Sequence, residues 1–262
     1  YDLLRDRAEV LVWSQTSKYL ALARVPARLV FSTKATVCVQ AGSGAFACMQ
    51  SQAHQLWSRF FGSSLEDRGV YTPSDCFETF PFPENWTTHP TLEAVGQTYY
   101  DFRATLMIRN NEGLTKTYNR FHDPDKTDAD ILELRRLHAA MDRAVLDAYG
   151  WTDISTDCIF RLDYEEPEDD DAEETGKKRR KKKPWRLRWP ESVHDEVLAR
   201  LLALNQLRAD EERKMAAGTD KAKPAKKSPK PSAPKSAPTE RPGNNAPNPA
   251  FGALFAPRKD GV

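Results

Sequence analysis

The sequence lacks any run approaching the ~20 apolar residues that a membrane-spanning helix requires. Its first residues, Tyr1-Asp2-Leu3-Leu4-Arg5-Asp6-Arg7, place charges where a signal peptide would carry an apolar core. It does not begin with Met and reads as a piece of something longer. Cysteine is scarce: Cys38, Cys48, Cys76 and Cys158 are the four in 262 residues, and no two form a Cys-x-x-Cys pair. Zinc ligation needs close spacing of its ligands, so no metal site is assigned, and buried free thiols in a cytosolic protein are the expectation. No internal repeat is present. A net charge of +1 excludes a polycation. These absences leave a cytoplasmic protein of one or two domains with no membrane contact.

What is present is patterned in blocks. Val10–Trp13, Tyr19–Leu22, Arg28–Phe31 and Thr36–Val39 are short β-branched and aromatic runs punctuated by polar residues and Pro26, which predicts strands. Phe46, Met49, Ala53, Leu56, Trp57 and Phe60 recur near helical spacing and predict one helix over 46–61, ended by Gly62. Prolines 73, 81 and 83 exclude a continuous helix from the aromatic connector Tyr71–Pro83. Two helices follow, one carrying Leu92, Val95, Tyr99, Phe102 and Leu106, the other Ile131, Leu134, His138, Met141, Val145 and Ala148. Asp128 or Asp130 can cap the second, and Gly150 follows its end. A third runs from Pro190 to about Met215. Before it, Cys158–Tyr164 and the alternating Trp185-Arg186-Leu187-Arg188-Trp189 predict a β-hairpin. The hairpin's tip is an acidic run, Glu165–Glu174, followed by a basic run, Lys177–Lys183, and such blocks are usually solvated. From Gly218 onward the Lys/Pro/Ala/Ser-rich chain cannot bury enough apolar surface to fold.

The fold class is therefore α+β, with a β-rich region, a helical region carrying a charged hairpin insert, and a disordered tail. The divisions fall at 1–83, 84–216 (insert 165–183) and 217–262.

No residue set carries obvious catalysis. Ala41-Gly42-Ser43-Gly44-Ala45-Phe46 sits between a strand and a helix, the setting of a nucleotide-binding turn. It lacks that motif's third glycine and acidic residue, and a tight strand-to-helix turn is the favoured reading. His54 could touch a phosphate or base, although a packed histidine is the plainer reading. His122, in a polar loop beside Asp123, is read as ordering the loop, and His138 as core. His89 and His194 give no distinctive signal. Lys18, Arg24, Arg28, Lys34, Arg59 and Arg68 intersperse the β-rich region with polar Gln15, Thr16, Ser17, Ser32 and Thr33. Lys/Arg and Ser/Thr contact phosphates, and Arg, Lys, Asn and Gln contact bases. The composition suits a DNA-facing sheet and equally an ordinary soluble surface. The Lys177–Lys183 run could bind phosphates or pair with the acidic run beside it.

Several segments together resemble a known family. They are Ala53–Trp57, Gly62–Leu65 and Tyr71–Pro83 with its FETFPFP stretch. Further along come Arg109–Pro124, Leu137–Asp142, Ala148–Trp151 and Lys183–Pro190. They look like the C-terminal part of large class I adenine-specific DNA methyltransferases of type IIG restriction–modification and phage-defence systems, over roughly residues 10–210. The resemblance implies a target-recognition region before FETFPFP and helical accessory structure behind it. It also implies an N-terminal methylase domain in a parent chain that binds S-adenosylmethionine and methylates adenine. The Asp/Asn-Pro-Pro-Tyr/Phe motif of such enzymes is absent here, so no catalytic residue and no cofactor are carried onto this chain. Double-stranded DNA and the parent's methylase domain are the expected partners. Lys18, Arg24, Arg28, Lys34, His54, Arg59 and Arg68 are the candidate DNA contacts, and Phe77, Phe80 and Phe82 a structural junction. The alternative is a protein-interaction module that docks other subunits of a defence system through its helices and charged insert.

Overall fold

A computed structural model describes residues 2–65, 68–162 and 185–220. The acidic and basic runs between 165 and 183 and the chain beyond 220 lie outside those residues. The fold is α+β. Two three-stranded antiparallel sheets come first. One has order β3-β1-β4, with β1 Glu9–Ser14, β3 Ala23–Pro26 and β4 Ala35–Cys38. The other has order β2-β6-β5, with β2 Thr16–Ser17, β5 Ser63–Leu65 and β6 Arg68–Val70. Gln15 stitches the two together. Its N–H donates to the Lys34 carbonyl at 2.8 Å, and its own carbonyl accepts from Tyr71 N–H at 2.8 Å.

Two of the expected strands are not strands. Tyr19–Leu22 satisfies its backbone through side chains instead of a ladder. Gln50 donates to the Leu20 carbonyl at 2.8 Å and accepts from Leu22 N–H at 3.0 Å, and Arg103 donates to the Leu22 carbonyl at 2.6 Å. Arg28–Phe31 forms a turn and loop after the pairing of Ala27 N–H with the Ala8 carbonyl, and leaves Val30 89% exposed.

The helix expected over 46–61 is two helices, α1 Ser43–Gln50 and α2 Gln52–Phe61. Ser51 breaks it. Its ψ of 158° is extended, and its hydroxyl accepts from His54 N–H at the start of α2, as an N-cap does. The Gln52 N–H freed by this break is taken by the Asp142 carboxylate at 2.8 Å. The connector holds only a four-residue helix, α3 Pro73–Cys76.

The helical part contains α4 Pro90–Arg109, α5 Leu114–Phe121, α6 Ala129–Ala148 and α7 Glu191–Asp220. Asp128 occupies the N-cap position of α6 but turns its carboxylate to Arg120, 3.2 Å away. Gly150 ends the helix at φ +79°, a conformation that favours glycine. Strands β7 Ile159–Leu162 and β8 Trp185–Arg188 pair antiparallel, Ile159 opposite Arg188.

One apolar core runs through both regions, from Leu11, Trp13 and Leu22 to Met141, Val145 and Leu201. The buried stripe of α4 is Leu92, Gly96, Tyr99, Arg103 and Leu106. Val95 and Phe102, which hydrophobicity would place there, are only half-buried. Gly96 allows α1 to cross in backbone contact: a Cβ at this position would stand 2.1 Å from the Ser43 carbonyl oxygen. Arg103 is 2% exposed and has no carboxylate partner among the described residues. It donates to Gln50 Oε1 (3.3 Å), the Tyr118 hydroxyl (2.9 Å) and the Leu22 carbonyl. Its guanidinium lies 5.1–5.9 Å from the ring centroids of Phe46, Tyr99, Tyr100 and Tyr118.

Candidate nucleic-acid interface

The glycine turn at 41–46 does not fit a cofactor. Ser43 N–H, at the start of α1, is already bonded to a Glu93 carboxylate oxygen at 3.1 Å. This places an anion at the helix N-terminus, where the helix dipole favours one. A Cβ at Gly44 would stand 2.7 Å from the Trp86 carbonyl, and one at Gly42 would stand 2.8 Å from Glu93 Oε1. The glycines serve close packing against the chain itself.

All four cysteines are free thiols. Burial pushes Cys38 and Cys76 up to about 11 and Cys158 to about 12, and raises Cys48 further still. They are therefore protonated at neutral pH and poor nucleophiles.

His54, His122 and His138 are structural. His54 is fully buried, bonded to the Tyr71 hydroxyl at 3.0 Å, and packed against Phe80 with centroids 4.6 Å apart. Burial pushes its pKa down to about 3, so it is neutral. It is removed from the DNA-contact set because no part of it reaches the surface. His122 accepts Leu187 N–H on Nδ1 at 3.0 Å and stacks on Tyr19, which fixes β8 against the Ser14–Tyr19 segment. Burial, with the Arg186 charge next, holds it well below the usual histidine range. His138 is buried against Asp142 at 3.1 Å.

The candidate basic residues separate. Arg24 is committed internally. It lies over the Tyr100 ring at 4.7 Å, bonds Ser43 Oγ at 3.0 Å and sits 3.9 Å from Glu9, with 13% of its side chain exposed. It joins the β-rich region to α4 and is also removed from the contact set. Arg28 is exposed in the turn after β3. Lys34 is exposed and lines a groove of about 420 Å³ with Trp13, Ser32 and Leu114. Arg68 lies in β6, and its side chain falls outside the described residues.

Lys18 and Arg59 come together, and the structure adds two residues that sequence reading treated only as part of a strand. A cleft of about 440 Å³ opens between the β2-β6-β5 sheet, α2 and β8. Lys18, Arg59, Arg186 and Arg188 are among the described residues that line it. Arg186 is 4% exposed, lies over Tyr19 at 4.5 Å and donates to the Lys18 carbonyl at 3.2 Å. Arg188 is half-buried and donates to the Leu162 carbonyl at 3.3 Å. The Trp-Arg-Leu-Arg-Trp alternation was the available signal, since residues two apart share a strand face. Ser14, Ser17, Lys18 and Tyr19 line both cleft and groove, so this segment forms a ridge between them.

Residues 6–84 match the family model described as MmeI, target recognition domain. The matched segment holds both three-stranded sheets, α1, α2 and the aromatic connector, and stops before α4. Phe77, Phe80 and Phe82 of the matched segment are buried in one aromatic cluster with His54, Trp57 and Trp86. α7 holds the cluster from outside: Asn205 donates to the Thr79 carbonyl at 2.6 Å and Arg208 to the Phe82 carbonyl at 2.7 Å. Among solved structures, the chain is similar to the type IIL restriction–modification enzyme MmeI in complex with DNA. Identity is 21% over 56% of this chain and 19% of that one, with a TM-score of 0.45. The chain thus spans about a fifth of that enzyme's length. Comparison with curated proteins gives no match. Among the described residues no helix is long and apolar enough to cross a membrane.

Proposed function

We propose that this chain is the DNA-recognition part of a restriction–modification enzyme that methylates adenine. The observation that carries the reading is the match of residues 6–84 to a target recognition domain. The cleft that this segment forms together with β8 supports it, with Lys18, Arg59, Arg186 and Arg188 among its described lining residues. Binding energy would come mainly from phosphate contacts, and specificity from side chains that reach base edges. The ridge Ser14-Gln15-Thr16-Ser17-Lys18 is the part best placed for the second task. Gln15 and Lys18 have base-reading chemistry, and Gln15's backbone is pinned between two sheets. Methyl transfer from S-adenosylmethionine, with the adenine extruded from the duplex, belongs in this reading to a methylase domain outside these 262 residues.

The test is selection from a pool of random duplexes by the full chain. One enriched adenine-containing sequence is the expected result, and recovery of the unenriched pool would overturn the reading. Mapping of N6-methyladenine in the source cells then checks the methylation half, which predicts methylation within that same sequence.

A further inference from the structure

We propose that the turn between β3 and β4, residues 26–34, is an apolar wedge that enters the minor groove of DNA, with Leu29 and Val30 pressed between base pairs. This rests on the DNA-recognition reading above and adds to it a contact that reads neither phosphate nor base edge.

The turn is fixed at its base and bare at its tip. Ala27 is buried, and its N–H is held by the Ala8 carbonyl at 3.0 Å. Leu29 N–H closes onto the Pro26 carbonyl at 3.3 Å, and Ala35 N–H onto the Ser32 carbonyl at 2.9 Å. At the tip stand Leu29, 46% exposed, and Val30, 89% exposed, the latter the most exposed large apolar side chain among the described residues. Phe31 behind them is half-buried. A single apolar residue on a surface needs no explanation. Two in sequence, on a turn anchored at both sides, are placed for contact. Pro26 has a fixed φ and Val30 a restricted χ1, so little conformational freedom is lost when the tip is buried.

The surroundings of the tip select the partner. Arg28 and Lys34 bracket it, both exposed, and residues 26–36 include no Asp or Glu. Glu9, opposite Pro26 in the ladder, lies 3.9 Å from Arg24. An apolar tip between two cations suits a partner with stacked bases inside and phosphates outside. Apolar side chains wedge base steps apart from the minor groove, and neighbouring cations hold the phosphates. The turn also adjoins the ridge. The Lys34 carbonyl accepts from Gln15 N–H at 2.8 Å, and Ser32 and Lys34 line one groove together with Ser14, Ser17 and Lys18. A duplex seated on the ridge therefore meets the turn.

The test uses the full 262-residue chain and duplexes of about 20 base pairs rich in TA steps, which kink easily, with a fluorescent dye at each end. Wild type is expected to bind and to bend the duplex by roughly 20–90°, read as a rise in energy transfer between the dyes. The double variant Leu29→Ser with Val30→Ser should weaken binding about tenfold and abolish the bend. Its melting temperature should be unchanged, because both side chains are exposed. Ile108→Ser removes an apolar side chain, 81% exposed, in the last turn of α4 and should behave as wild type. Arg28→Gln and Lys34→Gln should each flatten the slope of log K against log salt by about 0.9. If wild type binds but leaves the duplex straight, or if the double variant keeps the bend, the wedge is refuted while DNA recognition stands. If wild type sediments as a dimer that the double substitution dissociates, the tip covers a second copy of the chain and the wedge is refuted. If wild type binds no duplex even at low salt, the recognition reading fails and the wedge falls with it.

Discussion

Arg103 offers the sharpest test of how this chain is held together. It is one cation among neutral partners, and it touches α1 through Gln50, the irregular Tyr19–Leu22 segment through the Leu22 carbonyl, and α5 through Tyr118. Substitution by Ala removes these bonds unequally. Gln50 Oε1 still accepts from Leu22 N–H, and the Tyr118 hydroxyl keeps Tyr99. The Leu22 carbonyl loses Arg103, and a buried orphan of this kind costs about 1–3 kcal/mol. Truncating a buried side chain of comparable length adds a cavity and lost contacts of about 2–5 kcal/mol. Relief from burying a charge offsets part of this. We therefore expect Arg103→Ala to cost on the order of 3–5 kcal/mol, which lowers Tm by roughly 6–20 °C in a folded unit of this size.

Two further variants separate fork from charge. Arg103→Lys keeps the charge, but one ammonium cannot reproduce the guanidinium's reach to Leu22 and Tyr118 at once, so it should be nearly as damaging as Ala. Arg103→Met fills the space without a charge to desolvate and should be the mildest of the three. Urea unfolding followed by tryptophan fluorescence reads the midpoint and slope. If Lys behaves as wild type while Met is the worst, charge alone matters and the reasoning fails.

Other expectations follow from the same packing. Gly96→Ala forces a Cβ onto the Ser43 backbone and should cost about 1–3 kcal/mol, as overpacking does, measurable by the same unfolding curve. His54 titrates near 3 when folded against an ordinary 6.5, so between those values the unfolded chain binds the extra proton. Stability should therefore fall as pH drops below about 6.5, by up to ~1.4 kcal/mol per pH unit for each such histidine. His54→Gln, compared with wild type in melts at pH 7 and pH 5, should flatten that slope. Phe80→Ala should cost about 3–5 kcal/mol, and circular dichroism melts check it. Residues 1–84 expressed alone should give no cooperative transition in calorimetry, because Gln52, Ser43 and Leu22 lose partners on α6 and α4.

Much of this was legible in the sequence, for physical reasons. α4, α6 and α7 announce themselves because long amphipathic helices repeat a signal several times. α5 was missed because its eight residues include Lys116, Asn119 and Arg120 and present only one short stripe. The buried stripe of α4 was misread at two positions. No hydrophobicity argument selects Gly96, chosen for close approach, or Arg103, chosen for reach. Tyr19–Leu22 has the composition of a strand, yet its hydrogen bonds go to two side chains far along the chain. At the candidate site, Lys18 and Arg59 were in the set read from the sequence, but Arg24 and His54 were in it too, since local sequence does not reveal which cations face inward. Arg186 and Arg188 join the cleft only through the tertiary placement of β8.

The Gly96–Ser43 crossing has a consequence for engineering. If the chain recognises DNA as proposed, a specificity transplanted as a block ending near residue 84 would arrive without the helix it was shaped against. A recipient chain with any larger side chain at the position of Gly96 would hold α1 away from its seat and shift the Ser14–Lys18 ridge. Altered specificity is better sought by exchanging the few ridge side chains in place, leaving the backbone contact undisturbed. If blocks are exchanged, the useful cut lies beyond α4, so that the helix travels with the segment that rests on it.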